Sequence, residues 1–294
     1  MTSPVRRSAL DAVPAHAFFV VSAVFHYLGP ALAVLLFATV EPLGVAWLRI
    51  ALAALVFWLW RRPLRVWRGL DNGARWLLAG WAAVLAAMNC CFYLAIDRLP
   101  LGTVAAIEFA PVILLTAVAV RTLRNLAALL LAVGGVYVLT DVRLSGDWLG
   151  MLFTALNATL FAGYVILGHR VAQRPGQSRI DGLALAMGIA ALLSLPVGIG
   201  AAWRALTDPV LLAAAAAVAI CSSVIPYVCD QLAMARLTRG TFALLLSLLP
   251  ATACVIGAIV LDQRPTATEV LAVSLVVVAT GLHREVGRSQ GRRR

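Results

Sequence analysis

The sequence has no lysine and few charged residues of any kind. This scarcity of charge indicates which solvent surrounds the chain. Charged residues make up 13% of its 294 residues and hydrophobic ones 62%, whereas about a quarter of the residues of a soluble domain are charged. The chain also lacks a P-loop, a paired-histidine zinc motif and the nucleophile elbow of hydrolases, and its five cysteines have no metal-ligand spacing. We therefore expect no enzyme activity, cofactor or metal, and the composition indicates a bilayer protein.

Apolar runs divide the chain into segments that are each long enough to cross a bilayer as a helix. About 30 Å of hydrocarbon needs roughly 20 residues at about 1.5 Å per residue. Barrel strands need only about ten, so the runs predict helices. The sequence thus predicts an all-α polytopic membrane protein with ten transmembrane helices. The predicted spans are 16–38, 43–60, 74–96, 101–120, 123–140, 149–169, 181–203, 210–231, 240–261 and 266–283.

All 24 basic residues are arginine, and their positions orient the chain. With the N-terminus inside, 19 arginines face the cytoplasm, four face outward (Arg98, Arg143, Arg204 and Arg264), and Arg49 lies within a span. This asymmetry is the positive-inside rule, which predicts that both termini lie in the cytoplasm. The net charge of +11 then indicates contact with the bilayer surface, and no nucleic-acid partner is expected.

A twelve-residue segment at 94–105 returns at 232–243 with seven identical positions. The two copies divide the chain into repeats of five spans each, residues 1–145 and 146–294. Because five is odd, the copies have opposite orientations. Inverted repeats are typical of secondary transporters that work by alternating access. Duplication for packing alone is the alternative.

Three polar residues, Arg49, Asn89 and Glu108, lie at one predicted depth, roughly 10 Å below the outer surface. An ionisable side chain in hydrocarbon costs roughly 2.5 to 3.5 kcal/mol on insertion scales, so these residues should face the interior and pair or bind something. Our hypothesis is that Arg49 meets a carboxylate, Asn89 orients the ligand, and Glu108 meets an ammonium or carries a proton. A structural ion pair between Arg49 and Glu108 is the alternative, and the two interpretations are compatible.

Four further side chains are candidates for the substrate site: His26, Tyr93, Tyr164 and Tyr227. His26 lies near the middle of the first span, where lining a cavity and bonding a neighbouring helix are equally consistent with its position. Tyrosine is also enriched at membrane interfaces, and Tyr227 lies near the inner end of its span, so an interfacial anchor is an alternative for it.

Candidate moving parts are the helix breakers and one acidic residue at a span end. Pro111 and Pro250 are predicted to break the fourth and ninth spans, and Pro226 should free the backbone carbonyl of Ser222 in the eighth. Asp230 lies near the cytoplasmic end of the eighth span. Asp230, Pro111 and Pro250 are the candidate gate residues. For Asp230 the alternative is that it lies at an ordinary solvated helix end.

The chain resembles the drug/metabolite transporter superfamily in its EamA-type ten-helix form, and is most similar to the threonine and homoserine exporter branch. The segments that carry the resemblance are 48–50, 61–63, 88–102, 106–109, 164–170 and 226–242. The resemblance implies an inner-membrane exporter of small amino acids, with two inverted five-helix repeats around a central cavity and coupling to protons. In two departures from the family pattern, Ala110 replaces a glycine and Leu249 replaces an acid, so Glu108 becomes the main candidate for proton coupling.

Three other interpretations remain open at this stage. A broad-specificity exporter of drugs, nucleobases or other metabolites fits the same superfamily. A membrane-embedded enzyme acting on lipids would need two or more acids, or a histidine and a serine, at one depth, and only Glu108 and Arg49 qualify. The sequence is also compatible with a homodimer.

Overall fold

The computed structural model describes residues 14–61, 63–117, 123–144, 147–172, 179–234, 236 and 248–282, and within these every regular element is helical. The first half contains α1 (Ala15–Leu36), α2 (Pro42–Arg61), α3 (Leu64–Arg68), α4 (Asn72–Ile96), α5 (Leu101–Ala117) and α6 (Leu123–Leu144). The second half contains α7 (Trp148–Ala172), α8 (Arg179–Gly198), α9 (Trp203–Thr207), α10 (Pro209–Ala219), a π-helical segment (Ile220–Val224), α11 (Ile225–Met234), α12 (Leu249–Val260) and α13 (Ala267–Leu282).

Six of the described helical stretches are long and apolar enough to cross a membrane. They are α1, α2, α4, α7, α8 and the continuous run from α10 through the π-helical segment into α11. The other four predicted spans coincide with α5, α6, α12 and α13. The predicted spans 101–120 and 240–261, and most of the second copy of the twelve-residue repeat, extend outside the described residues. The all-α polytopic class is confirmed.

Several helices begin where a side chain accepts a hydrogen bond from the first turn. The carboxylates of Asp71, Asp147 and Asp208 accept backbone N–H bonds at the starts of α4, α7 and α10, at 2.6, 2.9 and 2.8 Å. At α13, Thr266 and Glu269 form a reciprocal capping box. These caps satisfy N–H groups that the helix itself cannot pair, so local sequence fixes the helix starts.

The two halves pack through close helix pairs. Between α2 and α8, the indole N–H of Trp47 donates to the Ala191 carbonyl at 3.0 Å and that of Trp58 donates to the Ala184 carbonyl at 2.7 Å. Both rings lie against glycines of α8, since a Cβ on Gly188 or Gly198 would collide with them. In a bilayer the lipid tails are as apolar as the helix surfaces, so the hydrophobic effect does not drive helices together. Interhelical hydrogen bonds and close packing at small residues hold them together instead.

Contacts between the halves follow a reciprocal pattern. Helix α2 packs on α8, α5 on α12 and α6 on α13, while α4 packs on α7 as α1 packs on the run from α10 to α11. Two buried apolar clusters result. One includes Tyr27, Tyr93 and Ile107, and the other includes Ile50, Leu85 and Met187. Arg49 and Asn89 lie on α2 and α4 between residues of the two clusters, and Glu108 follows Ile107 of the first.

Candidate functional site

Arg49 of α2 makes three hydrogen bonds to other helices. Its Nη1 donates to Oδ1 of Asn89 at 2.6 Å, its Nε donates to Oγ of Ser223 at 3.1 Å, and its Nη2 donates to the backbone carbonyl of Ser222 at 3.3 Å. The guanidinium also lies 5.7 Å from the ring centre of Tyr93, within cation–π range. We call Arg49, Asn89, Ser222 and Ser223 the Arg49 centre.

Every hydrogen-bond partner of Arg49 is neutral. Within the part of the chain that the structure describes, no carboxylate forms an ion pair with it, so the structural Arg49–Glu108 pair is absent from this conformation. A guanidinium has five N–H donors, and three are used here. The centre therefore has donors to spare and a positive charge without a counterion.

The partners of Arg49 on the second half are held by the π-helical segment Ile220–Val224. Pro226 has no N–H, so the carbonyl four residues earlier, that of Ser222, lacks its helical donor and is free to accept from the guanidinium. This confirms the prediction that Pro226 frees that carbonyl. Gly29 of α1 permits the close approach, because a Cβ there would collide with backbone and side-chain atoms of Ser222. π-Helical insertions are frequent at functional sites.

Asn89 is a buried amide with a fixed orientation. Its Nδ2 donates to the carbonyl of Leu85 in its own helix at 2.8 Å, which leaves Oδ1 facing Arg49. This confirms that two of the three polar residues predicted at one depth, Arg49 and Asn89, meet in space.

A small cavity of about 10 Å³ lies beside the Arg49 centre. It is lined by Arg49, Ile50, Leu85, Asn89, Met187, Ser223 and Tyr227. Tyr227 thus faces the interior instead of the membrane interface. The Tyr164 ring stacks on Trp81 with the ring centres 5.3 Å apart. One water molecule needs about 10–15 Å³, so the cavity holds no more than a single water in this conformation.

Glu108 of α5 lies apart from Arg49 and has a different partner. Its Oε1 accepts a hydrogen bond from Nδ2 of Asn157, a fully buried residue of α7, at 3.1 Å. The fully buried Tyr27 of α1 lies within the electrostatic field of Glu108. We call Glu108, Asn157 and Tyr27 the Glu108 centre. Its only described link to Arg49 is a through-space electrostatic interaction.

Neighbouring residues of α1 face the two centres. His26 interacts electrostatically with Arg49, and Tyr27, next in sequence, does so with Glu108. The rings of the two residues are in edge contact, with centres 5.3 Å apart. One helix turn therefore connects the two charged centres.

Comparison with known proteins now decides the family. Residues 148–283 match the EamA-like transporter family. The threonine/homoserine exporter RhtA of Escherichia coli (strain K12) is 32% identical over 257 residues, which cover 86% of this chain and 85% of that protein. RhtA of Salmonella typhimurium (strain LT2) is 31% identical over the same shares of the two chains. The chain belongs to the EamA-like transporter family.

A solved crystal structure supports the fold of this EamA-like chain. It superposes with a TM-score of 0.54 at 17% identity and covers 90% of this chain and 96% of the other. The chain is accordingly a multi-pass membrane protein and a transporter of the drug/metabolite transporter superfamily. Its relatives are named as exporters, which points away from an enzyme.

The predicted gate residues of the EamA-like chain lie in three different settings. Asp230 of α11 is half-buried and accepts a hydrogen bond from Ser22 of α1 at 2.5 Å, so it is packed against a helix of the other half. Pro111 lies inside α5, which continues through it to Ala117. Pro250 is in the first turn of α12, where a proline removes no intrahelical hydrogen bond. Most of the predicted ninth span before Pro250 lies outside the described residues, so the break at Pro250 stays a prediction. The break predicted at Pro111 is wrong, because α5 continues through that residue.

Sequence reasoning predicted Asn89 and the Ser222 carbonyl but missed three other neutral residues of the two centres. Ser223 belongs to the Arg49 centre, and Asn157 and Tyr27 belong to the Glu108 centre. Asn157 carried a usable signal, because an amide within a hydrocarbon span needs a hydrogen-bond partner and Glu108 was the nearest unexplained acid by depth. Serines and tyrosines within spans are too common to give such a signal.

Proposed function

We propose that this chain exports small amino acids of the threonine or homoserine kind, or related polar metabolites, by alternating access across the inner membrane. The observation that carries the proposal is Arg49, a cation with only neutral hydrogen-bond partners beside an interior cavity. A buried positive charge without a counterion favours an anionic ligand, and its two unused N–H donors match the two oxygens of a carboxylate.

The relatives support the substrate class. Proteins named threonine/homoserine exporters are similar over most of both chains. The Arg49 centre would hold the carboxylate, with Asn89 fixing the guanidinium. Tyr93, Tyr164, Tyr227 and His26 would line the rest of the path.

The transport cycle rests on the two five-helix repeats, residues 1–145 and 146–294. The reciprocal packing of the halves supports this division, because each contact maps onto another when the halves are exchanged. Inverted repeats exchange roles between an inward-open and an outward-open state. The arginine distribution supports cytoplasmic termini.

Glu108 is the proposed proton-coupling residue. It is the acid buried in the core of the first half, and its electrostatic link to Arg49 means that a change of charge at one centre is felt at the other. The Ser22–Asp230 hydrogen bond joins α1 to α11 and is a proposed inner gate, with Pro111 and Pro250 near the moving helix ends.

Growth and efflux assays test the substrate class. Cells that overproduce the protein should tolerate toxic threonine and homoserine analogues, and loaded cells should release labelled threonine faster than cells that produce Arg49→Leu at equal membrane levels. Ser274→Ala, on an exposed face of α13, is the control and should export normally. Resistance confined to dyes or nucleobase analogues would replace the amino-acid proposal with a broad-specificity exporter.

A proton gradient tests the coupling separately. In proteoliposomes, an imposed pH gradient should drive threonine against its concentration gradient, and a protonophore should abolish this accumulation. Transport that equilibrates threonine without any response to the gradient would remove the proton role of Glu108 and leave the exporter assignment intact.

A further inference from the structure

We infer that the Glu108 centre is the binding site for the primary ammonium group of the exported substrate, with Asn157 and Tyr27 as ligand-contacting residues. The inference rests on the proposed function and narrows its substrate class to amino acids bound as zwitterions. It is carried by the hydrogen-bonding groups that α1, α5 and α7 bring together.

Two polar atoms of the centre are fully buried without a hydrogen-bond partner. They are Oδ1 of Asn157 and the hydroxyl of Tyr27. Burying an unpaired polar atom destabilises a protein, so such atoms are rare and indicate a function where they cluster. Asn157 donates the single hydrogen bond that Glu108 accepts among the described residues, and Tyr27 interacts electrostatically with the same carboxylate.

The centre has three unpaired acceptor atoms beside a negative charge. Once Asn157 Nδ2 has donated one hydrogen bond to Glu108 Oε1, Glu108 Oε2, Asn157 Oδ1 and the Tyr27 oxygen can each still accept one, while the second amide N–H of Asn157 and the O–H of Tyr27 remain as donors. A primary ammonium has one positive charge and three N–H donors. Its charge complements the carboxylate, and its donors match the three acceptors in number.

The placement of the two centres suits one zwitterion. The Arg49 centre has surplus donors and a positive charge, whereas the Glu108 centre has surplus acceptors and a negative one. They interact electrostatically but share no hydrogen bond in the described part of the chain. Adjacent residues of α1, His26 and Tyr27, face one centre each. A ligand with a carboxylate and an ammonium would thus neutralise both centres together.

Three small ligands distinguish binding of the amine from binding of the carboxylate. L-threonine carries both charged groups, 3-hydroxybutyrate lacks the amine, and 1-amino-2-propanol lacks the carboxylate. Each is tested by competition against labelled threonine on the purified, full-length protein in lipid nanodiscs. Wild-type protein should bind threonine at least tenfold more tightly than either analogue.

Two variants assign the amine to this centre. Tyr27→Phe and Asn157→Leu should each weaken threonine and 1-amino-2-propanol by about tenfold, because each loses a hydrogen bond to a charged group. The affinity for 3-hydroxybutyrate should stay within twofold. Thr159→Ala is the matched control, since Thr159 is an exposed residue of α7 that bonds only its own helix. Tyr27→Phe keeps the ring and decides the question if Asn157→Leu does not fold.

The outcomes distinguish this inference from the exporter proposal. The ammonium assignment is wrong if Tyr27→Phe lowers the affinity for 3-hydroxybutyrate as much as that for threonine, or changes neither affinity. The exporter proposal still stands in that case, provided that wild-type protein binds threonine. If wild-type protein binds 3-hydroxybutyrate as tightly as threonine, the amine is not recognised at all. If it binds none of the three probes, both proposals fail.

Discussion

The Arg49 centre and the Glu108 centre have opposite charge and opposite hydrogen-bonding character. Arg49 donates to an amide, a hydroxyl and a carbonyl and retains unused donors. Glu108 accepts one bond from Asn157, beside buried acceptors that have no donor. The sequence predicted both ions at one depth, from which a structural ion pair was one interpretation. In the structure each ion is hydrogen-bonded to neutral residues and not to the other ion, which supports the proposal that each binds a ligand group.

The scaffold and the site differ in symmetry as well. Helix contacts between the halves are reciprocal, yet the position that the repeat aligns with Asn89 is Tyr227. The Arg49 centre takes α2 and α4 from the first half and the π-helical segment from the second. In the proposed cycle the two halves would exchange roles around a site that is not itself repeated.

The largest effect should come from removing the cation. Arg49→Leu should lower threonine export by about a hundredfold or more, because losing a buried charge partner costs roughly 2–5 kcal/mol. Arg49→Lys should restore only a small part of the export activity, since lysine lacks the planar guanidinium that binds both oxygens of a carboxylate. Efflux from loaded cells measures both. Arg264→Leu removes an exposed arginine and should export normally, and equal export by Arg49→Leu would show that the anion binds elsewhere.

A smaller effect should follow from disturbing the contact that positions Ser222. Gly29→Ala inserts a methyl group against the backbone of Ser222, and overpacking of this kind costs about 1–3 kcal/mol. The melting temperature of the purified protein and its affinity for 3-hydroxybutyrate should both fall. Gly80→Ala is the control, because nothing lies near the Cβ position of Gly80.

The response of the two centres to Gly29→Ala sharpens the comparison between them. If the π-helical segment moves, the affinity for 3-hydroxybutyrate should fall more than the affinity for 1-amino-2-propanol. If α1 moves instead, Tyr27 moves with it, and the affinity for 1-amino-2-propanol should fall as well. A melting temperature equal to that of Gly80→Ala would contradict the tight contact between α1 and the π-helical segment.

Much of the fold was predictable because the bilayer imposes simple rules. Hydrocarbon thickness sets the lengths of helices such as α2 and α4, and backbone satisfaction excludes other elements. The carbonyl freed by Pro226 was also predictable, since the consequence of a missing N–H is local in sequence. Pro111 shows the limit of the same rule. A proline inside a membrane helix need not break it, because neighbouring groups can satisfy the freed carbonyl, and α5 continues through Pro111.

The site was predictable in its ions and in Asn89, but not in Ser223, Asn157 or Tyr27. Arg49 and Glu108 stand out because a charge in hydrocarbon is costly wherever it points. Which residue satisfies each charge depends on how helices pack around one another, and sequence periodicity does not fix rotation between helices. Asn157 and Ser223 therefore became part of a site only once α7 and the π-helical segment were placed against α5 and α2.

The smallest expected effect compares the same chemical change at the two centres. Tyr93 is fully buried, its ring lies beside the Arg49 guanidinium, and its hydroxyl has no hydrogen-bond partner of good geometry among the described residues. Tyr93→Phe keeps the ring and removes one donor for an anion. It should weaken threonine and 3-hydroxybutyrate by up to about tenfold and leave 1-amino-2-propanol unchanged, the reverse of Tyr27→Phe.

Because the two hydroxyls belong to different centres, the losses of threonine affinity in the double variant should multiply, as expected for independent sites. Competition binding to the single and double variants measures this directly. A double variant no weaker than Tyr93→Phe alone would mean that both hydroxyls serve one ligand group. The donor-rich and acceptor-rich centres would then be a single site, and the zwitterion would have to bind in another orientation.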